Sequence, residues 1–417
     1  MVKEKHAYSW IISKIGKAYL FASVLRRFVH RRQPRSLRSD VLLREYSDST
    51  HEYFFGYYDI TPFSADERRL LAIQRPVGEA RNTIDKKVEV GYFLVEGTNR
   101  EFHRIGDTTN WCWQQGCRLQ WYPTDGNRLV LYNKLVQGGY GAVIQDVETK
   151  RIEREYCKPI YSLSGDGQFG ISLNFARLQR LRPGYGYGDL PDETIDDPCP
   201  DSDGLWIMDM HTGNAEILLT MAEIASFQPQ ETMQEAVHYI NHVLWNPNSS
   251  RFMFFHLWLR DGIRRSRLLT LDKNGDHLFA LYNEEHVSHY CWKNIDELVA
   301  FSTHLETGTH FHHYRDQEGL IGVIGENMLT QDGHPSFNPS SGVILTDTYP
   351  NRFLERELLL FNIETCELEV LGTFYSPPDL TGEVRCDLHP RWSPTGSMIC
   401  FDSAHEGKRT ICVIQLS

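Results

Sequence analysis

One phrase is written seven times along this chain, at a mean spacing of about 55 residues. Each copy has a short strand ending in a large residue, a turn rich in Pro, Asp, Asn, Ser or Gly, and a second apolar strand. Such a pair of strands around a turn predicts a β-hairpin. Repeats of this length constrain the fold strongly, because each must form one supersecondary unit. The large residues that end the first strands, called anchor residues below, are Phe63, Trp121, Leu163, Trp245, Trp292, Phe337 and Trp392.

A third strand follows each hairpin, as in GYFLVEG and LWIMDMHTG, and several copies continue into a fourth, such as ELEVLG. Four strands repeated seven times predict an all-β fold, a seven-bladed β-propeller. The last copy reaches Ser417 after its third strand. Its fourth strand is therefore expected from VLLRE at residues 41–45, because pairing the two ends of the ring would remove an exposed sheet edge.

Residues 1–38 differ from the rest in charge and pattern. They hold ten Lys/Arg against one acidic residue, a net charge of +9, so residues 39–417 carry −21 if the whole chain carries −12. Apolar residues recur there at three- and four-residue spacing, which predicts a basic amphipathic helix over about residues 7–32, followed by a linker. Two roles are open: packing on the propeller or a partner subunit, or peripheral contact with anionic lipid. The predicted domains are residues 1–38 and the propeller, residues 39–417.

Composition narrows the classes of function. An acidic propeller argues against nucleic acid as a partner, because phosphate binding requires a basic surface. Nine irregularly spaced cysteines, no apolar run long enough to span a bilayer and no good signal peptide favour a cytoplasmic protein with reduced thiols, at most peripheral to the inner membrane. The sequence has no P-loop and no GxSxG, so nucleotide chemistry and serine hydrolysis are not supported.

Four histidines share one position in consecutive copies. His242, His289, His334 and His389 each stand three residues before an anchor residue. The first strand of a propeller blade lines the central channel, so we expect all four at one channel mouth. Neutral imidazoles that converge with carboxylates suit a divalent metal or proton transfer near neutral pH. A repeated hydrogen bond between blades is the alternative.

The second strand of each copy runs back to the same mouth and ends on a polar residue, which extends the predicted ring. These residues are Gln74, Asn133, Asn174, His256, Ser302, Asp347 and Asp402. We predict His289, His334 and His389 as ligands of a divalent ion, zinc, manganese or calcium. The arginines of NFARLQRLRPG could grip an acidic sugar or belong to an interblade face.

Several phrases resemble those of the ulvan-lyase type of β-propeller polysaccharide lyases and, more distantly, of oligogalacturonate lyases. They are FFGYYDITPFS, WCWQQGCRLQW, RPGYGYG, DGHPSFNPSSGVILTDTYP and RCDLHPRWSPTG, within residues 50–417. The resemblance implies β-elimination on a uronic-acid glycan, which needs a base at C5, an acid for the leaving oxygen and a cation to neutralise the carboxylate. It also implies His and Tyr for proton transfer, Arg for neutralisation and, in some members, a bound metal.

The resemblance places Tyr185 and Tyr187 in the family's tyrosine region, with Arg182 as the nearest arginine. It departs in blade two, where the family has catalytic histidines and this sequence has Gln115 and Asn133. A base must then come from elsewhere. The predicted catalytic residues are Tyr185, Tyr187, His242 and His256, and the predicted substrate-binding residues are Arg118, Asn133, Asn174, Arg177 and Arg182.

The sequence thus predicts a polysaccharide-lyase-like propeller, a carbon–oxygen lyase that acts on a uronic-acid-containing oligo- or polysaccharide. The alternative is a non-catalytic propeller that binds glycan or protein in surface polysaccharide biosynthesis, with residues 7–32 as its tether to a membrane. The blade-two residues favour the alternative, whereas the four histidines and the tyrosines favour the lyase.

Overall fold

The computed structural model describes residues 2–30, 32–97 and 100–416, with the backbone alone for residues 2–15. Within these residues, 29 strands form seven antiparallel sheets, preceded by a helix. The predicted seven-bladed β-propeller is confirmed. The first three blades contain β3 (His51–Phe54), β4 (Arg69–Pro76), β5 (Val88–Leu94) and β6 (His103–Thr108); β7 (Gln120–Trp121), β8 (Leu129–Val136), β9 (Gly139–Asp146) and β10 (Ile152–Tyr156); and β11 (Ser162–Leu163), β12 (Phe169–Ser172), β13 (Gly204–Asp209) and β14 (Ala215–Thr220).

The remaining blades repeat this order from the channel outward. Blades four and five contain β15 (Val237–Trp245), β16 (Arg251–Arg260), β17 (Ile263–Asp272) and β18 (Phe279–Tyr282); and β19 (Val287–Trp292), β20 (Glu297–His304), β21 (Gly308–Arg315) and β22 (Gly319–Ile324). Blades six and seven contain β23 (Ser336–Phe337), β24 (Val343–Asp347), β25 (Glu355–Asn362) and β26 (Glu367–Tyr375); and β27 (Arg391–Trp392), β28 (Met398–Ser403) and β29 (Thr410–Gln415).

Two N-terminal strands complete the outer edges of the last two blades. β2 (Leu42–Tyr46) pairs with β29 of blade seven, from Leu42 opposite Gln415 to Tyr46 opposite Ile411. It lies in the VLLRE segment and supplies the fourth strand of that blade. β1 (Arg35–Leu37) adds a fifth strand beside β26, in a segment expected as a linker. The strand forms there because the free edge of β26 satisfies its backbone groups.

The anchor tryptophans hold neighbouring blades together. Each indole N–H donates to the backbone carbonyl of the residue that precedes the anchor of the previous blade. The pairs are Trp121 with Pro62 at 2.9 Å, Trp245 with Ser162 at 3.3 Å, Trp292 with Leu244 at 3.1 Å and Trp392 with Ser336 at 3.2 Å. A buried indole requires an acceptor, so the repeated tryptophan provides both packing volume and a fixed angle between blades.

Blade three carries a helical insertion that reaches the channel mouth. Asn174 caps α2 (Phe175–Leu181), its side-chain oxygen accepting from the Arg177 backbone N–H at 2.8 Å. The chain then turns through RPGYGYG, which brings Arg182 and Tyr185 beside His242. A second helix, α3 (Met221–Ser226), begins with a capping box between Thr220 and Glu223. Short 3₁₀ turns cover Pro123–Asp125, Glu231–Met233 and Gly382–Val384.

The N-terminal helix α1 (Val2–Val29) lies against blade six. Its Arg27 guanidinium donates to the Glu355 carboxylate at 3.1 Å and lies over the Tyr375 ring, 4.2 Å from the centroid. The predicted apolar stripe begins at Ile11 and Ile15, whose side chains lie outside the described part. Over the described residues, we find no helix with the length and apolar character needed to span a bilayer.

Candidate active site at the channel mouth

The four repeated histidines converge at one mouth of the channel. The imidazole of His334 lies between those of His289 and His389, with ring centroids 4.1 and 4.3 Å apart. His242 joins the group through Tyr57, whose ring stacks on His242 at 5.0 Å and meets His389 edge-on at 4.9 Å. All four histidines are buried.

Backbone irregularities aim these side chains into the channel. The register of β15 shifts between Asn241 and Leu244, and that of β19 shifts between Val287 and Tyr290. Such bulges rotate a side chain out of the regular alternation. His242 and His389 also have positive φ angles of 56° and 44°. Arg118, at the same position of blade two, has a φ of 56° as well, so this strained conformation is a repeated feature of the blade position.

Hydrogen bonds fix the tautomers of the two central histidines. His334 Nδ1 donates to the Asp347 carboxylate at 2.7 Å, and His389 Nδ1 donates to the Gly56 carbonyl at 2.8 Å. Each ring therefore turns an unprotonated Nε2 into the site, and both Nε2 atoms are buried without a hydrogen-bond partner. Two buried lone pairs without donors are costly unless a ligand occupies the space between them.

A carboxylate completes this pair. His334, His389 and Asp387 each offer one ligand atom, and these atoms lie within 4.8 Å of one another. Burial would raise the pKa of Asp387, but Arg385 and Arg356 outweigh it and hold the pKa well below its ordinary value. Burial lowers the pKa of His389 well below its ordinary value. A neutral imidazole beside an ionised carboxylate is what a divalent cation requires, so these residues fit a metal ion.

His289 lies next to this group but has its own carboxylate. Its Nδ1 donates to Asp332 at 2.9 Å, which leaves Nε2 as the unprotonated nitrogen. Burial lowers the pKa of His289, despite the opposing charge of Asp332. Its ring contacts that of His334, but it is not part of the group formed by His334, His389 and Asp387, so its role as a ligand stays a prediction.

Two arginines and a tyrosine border the cluster. Arg385 donates to the Tyr185 hydroxyl at 2.7 Å and to Asp387 at 2.6 Å. Arg182 lies over the Tyr185 ring, 3.9 Å from the centroid, and contacts His242 Nε2 at 3.2 Å. The Arg182 and Arg385 side chains are partly exposed, so a ligand carboxylate at the mouth can reach their guanidinium groups.

The structure places Asn133 and Tyr187 in the wall between blades two and three. The Asn133 amide donates to the Tyr187 hydroxyl at 2.9 Å and to the Ile160 carbonyl at 3.0 Å. Tyr187 stacks on Phe175, with centroids 4.3 Å apart. Both side chains are engaged within this wall, and the predicted substrate-binding role of Asn133 and catalytic role of Tyr187 stay predictions. Asn133 joins two blades because the end of its strand reaches the neighbouring backbone.

Arg118, Arg177 and Asn174 are also engaged by the protein itself. Arg118 forms a buried ion pair with Asp59 at 2.8 Å. The Arg177 guanidinium donates to backbone carbonyls, including those of His238 at 2.7 Å and Pro198 at 2.8 Å. Asn174, besides capping α2, donates to Asp203 at 2.7 Å. The contacts of Arg177 and Asn174 hold the insertion in place, and that of Arg118 joins blades one and two, whereas Arg182 contacts His242 at the mouth.

His256, predicted as catalytic, lies in a separate buried cluster within blade four. Its Nε2 contacts His238 Nδ1 at 2.9 Å, and its Nδ1 accepts from Arg267 at 3.0 Å. Both ring nitrogens are occupied, and the ring is fully buried. The physical reason is the pleat: β16 is buried from Phe252 to Trp258, and this position faces the insertion instead of the channel.

Four functional candidates were missed by the sequence reasoning. Asp387 stands two residues before His389, and Arg385 two residues before that, so the phrase RCDLHP contains three alternating side chains of the site. Tyr57, from FFGYYD, lies between His242 and His389, and Tyr349 meets His334 at 6.0 Å. The alternating Arg-x-Asp-x-His pattern was the available signal, because alternate residues of an extended segment face the same side.

No family model matches the sequence, and no curated protein matches it, but its fold is similar to solved structures. The crystal structure of oligogalacturonate lyase from Vibrio parahaemolyticus superposes with a TM-score of 0.63 at 15% identity, over 92% of this chain and 96% of that chain. A structure of oligogalacturonate lyase in complex with manganese gives 0.55 at 13% identity, over 93% and 98%. At these identities the likeness shows a common propeller fold.

Proposed function

We propose that this propeller is a metal-dependent lyase that cleaves uronic-acid-containing oligosaccharides by β-elimination at the histidine-lined mouth. The observation that carries the proposal is the pair of buried, unpartnered Nε2 atoms of His334 and His389 facing the Asp387 carboxylate. Two partly exposed arginines beside this group suit an acidic sugar. The likeness in fold to oligogalacturonate lyases, one of them a manganese complex, supports the same class of substrate and ion.

A divalent ion fits His334, His389 and Asp387, with His289 adjacent. When bound there, it would neutralise charge on a uronate carboxylate and so make the neighbouring C5 proton more acidic. Nitrogen and carboxylate donors together suit manganese or zinc better than calcium, which prefers oxygen ligands. The particular glycan, ulvan-like or galacturonate-like, stays a prediction of the sequence resemblance.

In the reaction, a base removes the C5 proton, the C4–O bond breaks, a C4=C5 double bond forms and the leaving oxygen gains a proton. Arg182 and Arg385 hold the substrate carboxylate. His242 Nε2 accepts from Arg182 at 3.2 Å and from the Asn241 amide at 3.1 Å, so both donors must turn away before this nitrogen can act as the base. Burial and Arg182 lower the pKa of His242 well below its ordinary value, so the ring is neutral and can accept the C5 proton.

Tyr185 is the proposed acid. Its hydroxyl oxygen accepts from Arg385, which leaves its own proton free for the leaving oxygen. The Tyr185 and His242 rings lie 5.8 Å apart, so one sugar unit can meet both. Proton transfer by such a positioned pair contributes about 10²–10⁴-fold to a rate.

The test is the ultraviolet absorbance of the unsaturated product from a panel of uronate oligosaccharides, measured with added Mn²⁺. We expect turnover by wild type and by His277→Ala, a control histidine that is 74% exposed and remote from the mouth. Tyr185→Phe and His334→Ala should lose activity by about 10²-fold or more. Wild type that forms no unsaturated product on any uronate would overturn the lyase proposal.

A second candidate is a non-catalytic glycan-binding propeller. The observation that favours it is the state of blade two, where Gln115 donates to the Tyr161 hydroxyl at 2.7 Å and Asn133 joins two blades. Neither can act as a base. Calorimetry that detects uronate binding without product formation, lost in Arg182→Ala, would support this function in place of the lyase.

A further inference from the structure

The N-terminal helix docks on the propeller through its polar side. Ser23 and Arg27, one helical turn apart, are buried, and Arg27 forms its ion pair with Glu355 and its contact with the Tyr375 ring. Three residues after the end of the helix, the Arg32 guanidinium lies over the Phe353 ring, 4.5 Å from the centroid. Among the helix side chains that the structure describes, residues 16–29, Ser23 and Arg27 are buried and Leu20 beside them is half-buried, so small and cationic groups make up most of this contact.

The opposite side of α1 is apolar and faces outward. Phe21, Leu25 and Phe28 follow the i, i+4, i+7 spacing of one helix face, and their side chains are 72%, 51% and 81% exposed. Residues two apart on a helix point to nearly opposite sides, so this face lies across the helix from Ser23 and Arg27. A helix of a soluble domain normally buries its apolar face. In α1 it is the polar side that packs on the propeller, and the apolar face has no partner among the described residues.

This helix lies on the same side of the molecule as the channel mouth. The loop over residues 348–354 joins β24, which ends at the mouth with Asp347, to β25, which begins at Glu355. At one end of the loop, Tyr349 meets His289 and His334. At the other end, the Phe353 carbonyl accepts from the Arg27 guanidinium of α1 at 3.4 Å. One loop therefore contacts both the candidate site and the helix.

Charge distinguishes the possible occupants of the apolar face. Residues 1–38 carry +9, so these segments of two copies would repel each other. Lys17 and Arg26 are exposed beside the apolar residues. An anionic bilayer matches both features, because it accepts the apolar side chains and attracts the basic ones.

We propose that α1 lies in the surface of an anionic lipid bilayer, with Phe21, Leu25 and Phe28 inserted among the lipid chains and the channel mouth on the membrane side. The inference goes beyond the lyase proposal and does not depend on it. It implies that substrate reaches the mouth along or from the membrane surface.

Co-sedimentation of the full chain with vesicles tests this proposal in the absence of metal and glycan. The vesicles contain phosphatidylcholine with phosphatidylglycerol, or phosphatidylcholine alone. We expect wild type to bind the anionic vesicles at low salt, to bind them more weakly as salt rises, and to stay in solution with phosphatidylcholine alone. Phe21→Ser combined with Phe28→Ser should lower the partition coefficient by about tenfold or more.

Ile295→Ser is the matched control. Ile295 is an exposed apolar residue in the turn between β19 and β20, at the opposite end of the channel, and its substitution should leave vesicle binding unchanged. Wild type that stays in solution with anionic vesicles, or a double variant that binds as well as wild type, would overturn the proposal. So would a wild-type dimer without lipid that the double variant converts to monomer, because the occupant would then be a second copy.

Discussion

At the scale of single residues, the candidate site depends on residues that orient its histidines through hydrogen bonds. Asp347 accepts from both the Nδ1 and the backbone N–H of His334, and from the backbone N–H of His389. It therefore fixes the tautomer of one candidate ligand and the position of the other, across two blades. The carbonyl oxygen of Gly56 fixes the tautomer of His389 by accepting from its Nδ1.

The first prediction concerns Asp347. Asp347→Asn keeps an acceptor in place but removes the negative charge that orients the His334 ring. We expect Mn²⁺ affinity to fall by about 10–100-fold, as is typical when a partner of a metal-bound histidine is changed. Isothermal calorimetry measures the affinity, and Asp272→Asn, on a surface turn of blade four, is the control. Equal affinity of wild type and Asp347→Asn would show that His334 does not bind the ion.

Gly56 provides the second prediction. Its φ is +136°, and an added Cβ would lie 2.8 Å from the backbone carbon of Gln115. Gly78 also has a positive φ, +85°, but open space around it. Gly56→Ala should therefore lower the free energy of unfolding by about 1–3 kcal/mol more than Gly78→Ala. Urea denaturation compares the two, and equal losses would mean that the segment around Gly56 can move away from Gln115.

At the scale of elements, β2 is attached to blade seven by polar contacts as well as by its backbone ladder. Glu45 on β2 pairs with His405 at 2.9 Å and with Arg35 of β1. The hydrogen bond from His405, helped by Arg35 and opposed by burial, lowers the pKa of Glu45 to about 2. One carboxylate thereby links the two N-terminal strands to the last blade.

The third prediction concerns how the Glu45–His405 pair makes the stability of the protein depend on pH. A carboxyl group has a pKa near 4.3 in the unfolded chain. The stability that Glu45 contributes is therefore complete above about pH 4 and is lost as the pH falls toward 2. Glu45→Gln should destabilise the protein by about 1 kcal/mol at pH 7, and the difference from wild type should shrink by pH 3. Urea midpoints at both pH values measure this, and a constant difference would contradict it.

At the scale of the whole molecule, the seven repeats could be predicted from the sequence because anchor residue, turn and apolar strand recur together. Aligning the repeats on the anchor residues then showed that the four histidines share one position. Asp387 could have been found from its alternation with Arg385 and His389, whereas Tyr57 lies outside the repeated phrase and gave no comparable signal. The buried contacts of Asn133 and Arg118 could not be predicted for a different reason: a polar strand end can face either the channel or the neighbouring blade, and only the packed structure decides which. Their substrate-binding roles stay predictions.

The fourth prediction compares the contribution of helix α1 to thermal stability with that of strands β1 and β2. Deleting residues 1–30 removes α1, whose described contacts with the propeller are few and polar, so the melting temperature should change little. Deleting residues 1–46 also removes β1 and β2 and the buried Tyr46, and it exposes the edge of β29. We expect that variant to melt several degrees lower. Differential scanning calorimetry compares the two, and equal melting temperatures would contradict a stabilising role for β2.

The central claim is that His334, His389 and Asp387 form a metal site, and Mn²⁺ titration by calorimetry and electron paramagnetic resonance tests it most directly. Wild type and His277→Ala should each bind one ion per chain, while His389→Ala and Asp387→Ala should lose binding and keep the circular dichroism of the folded propeller. Wild type that binds neither Mn²⁺ nor Zn²⁺, or folded His389→Ala that binds as wild type does, would contradict the account.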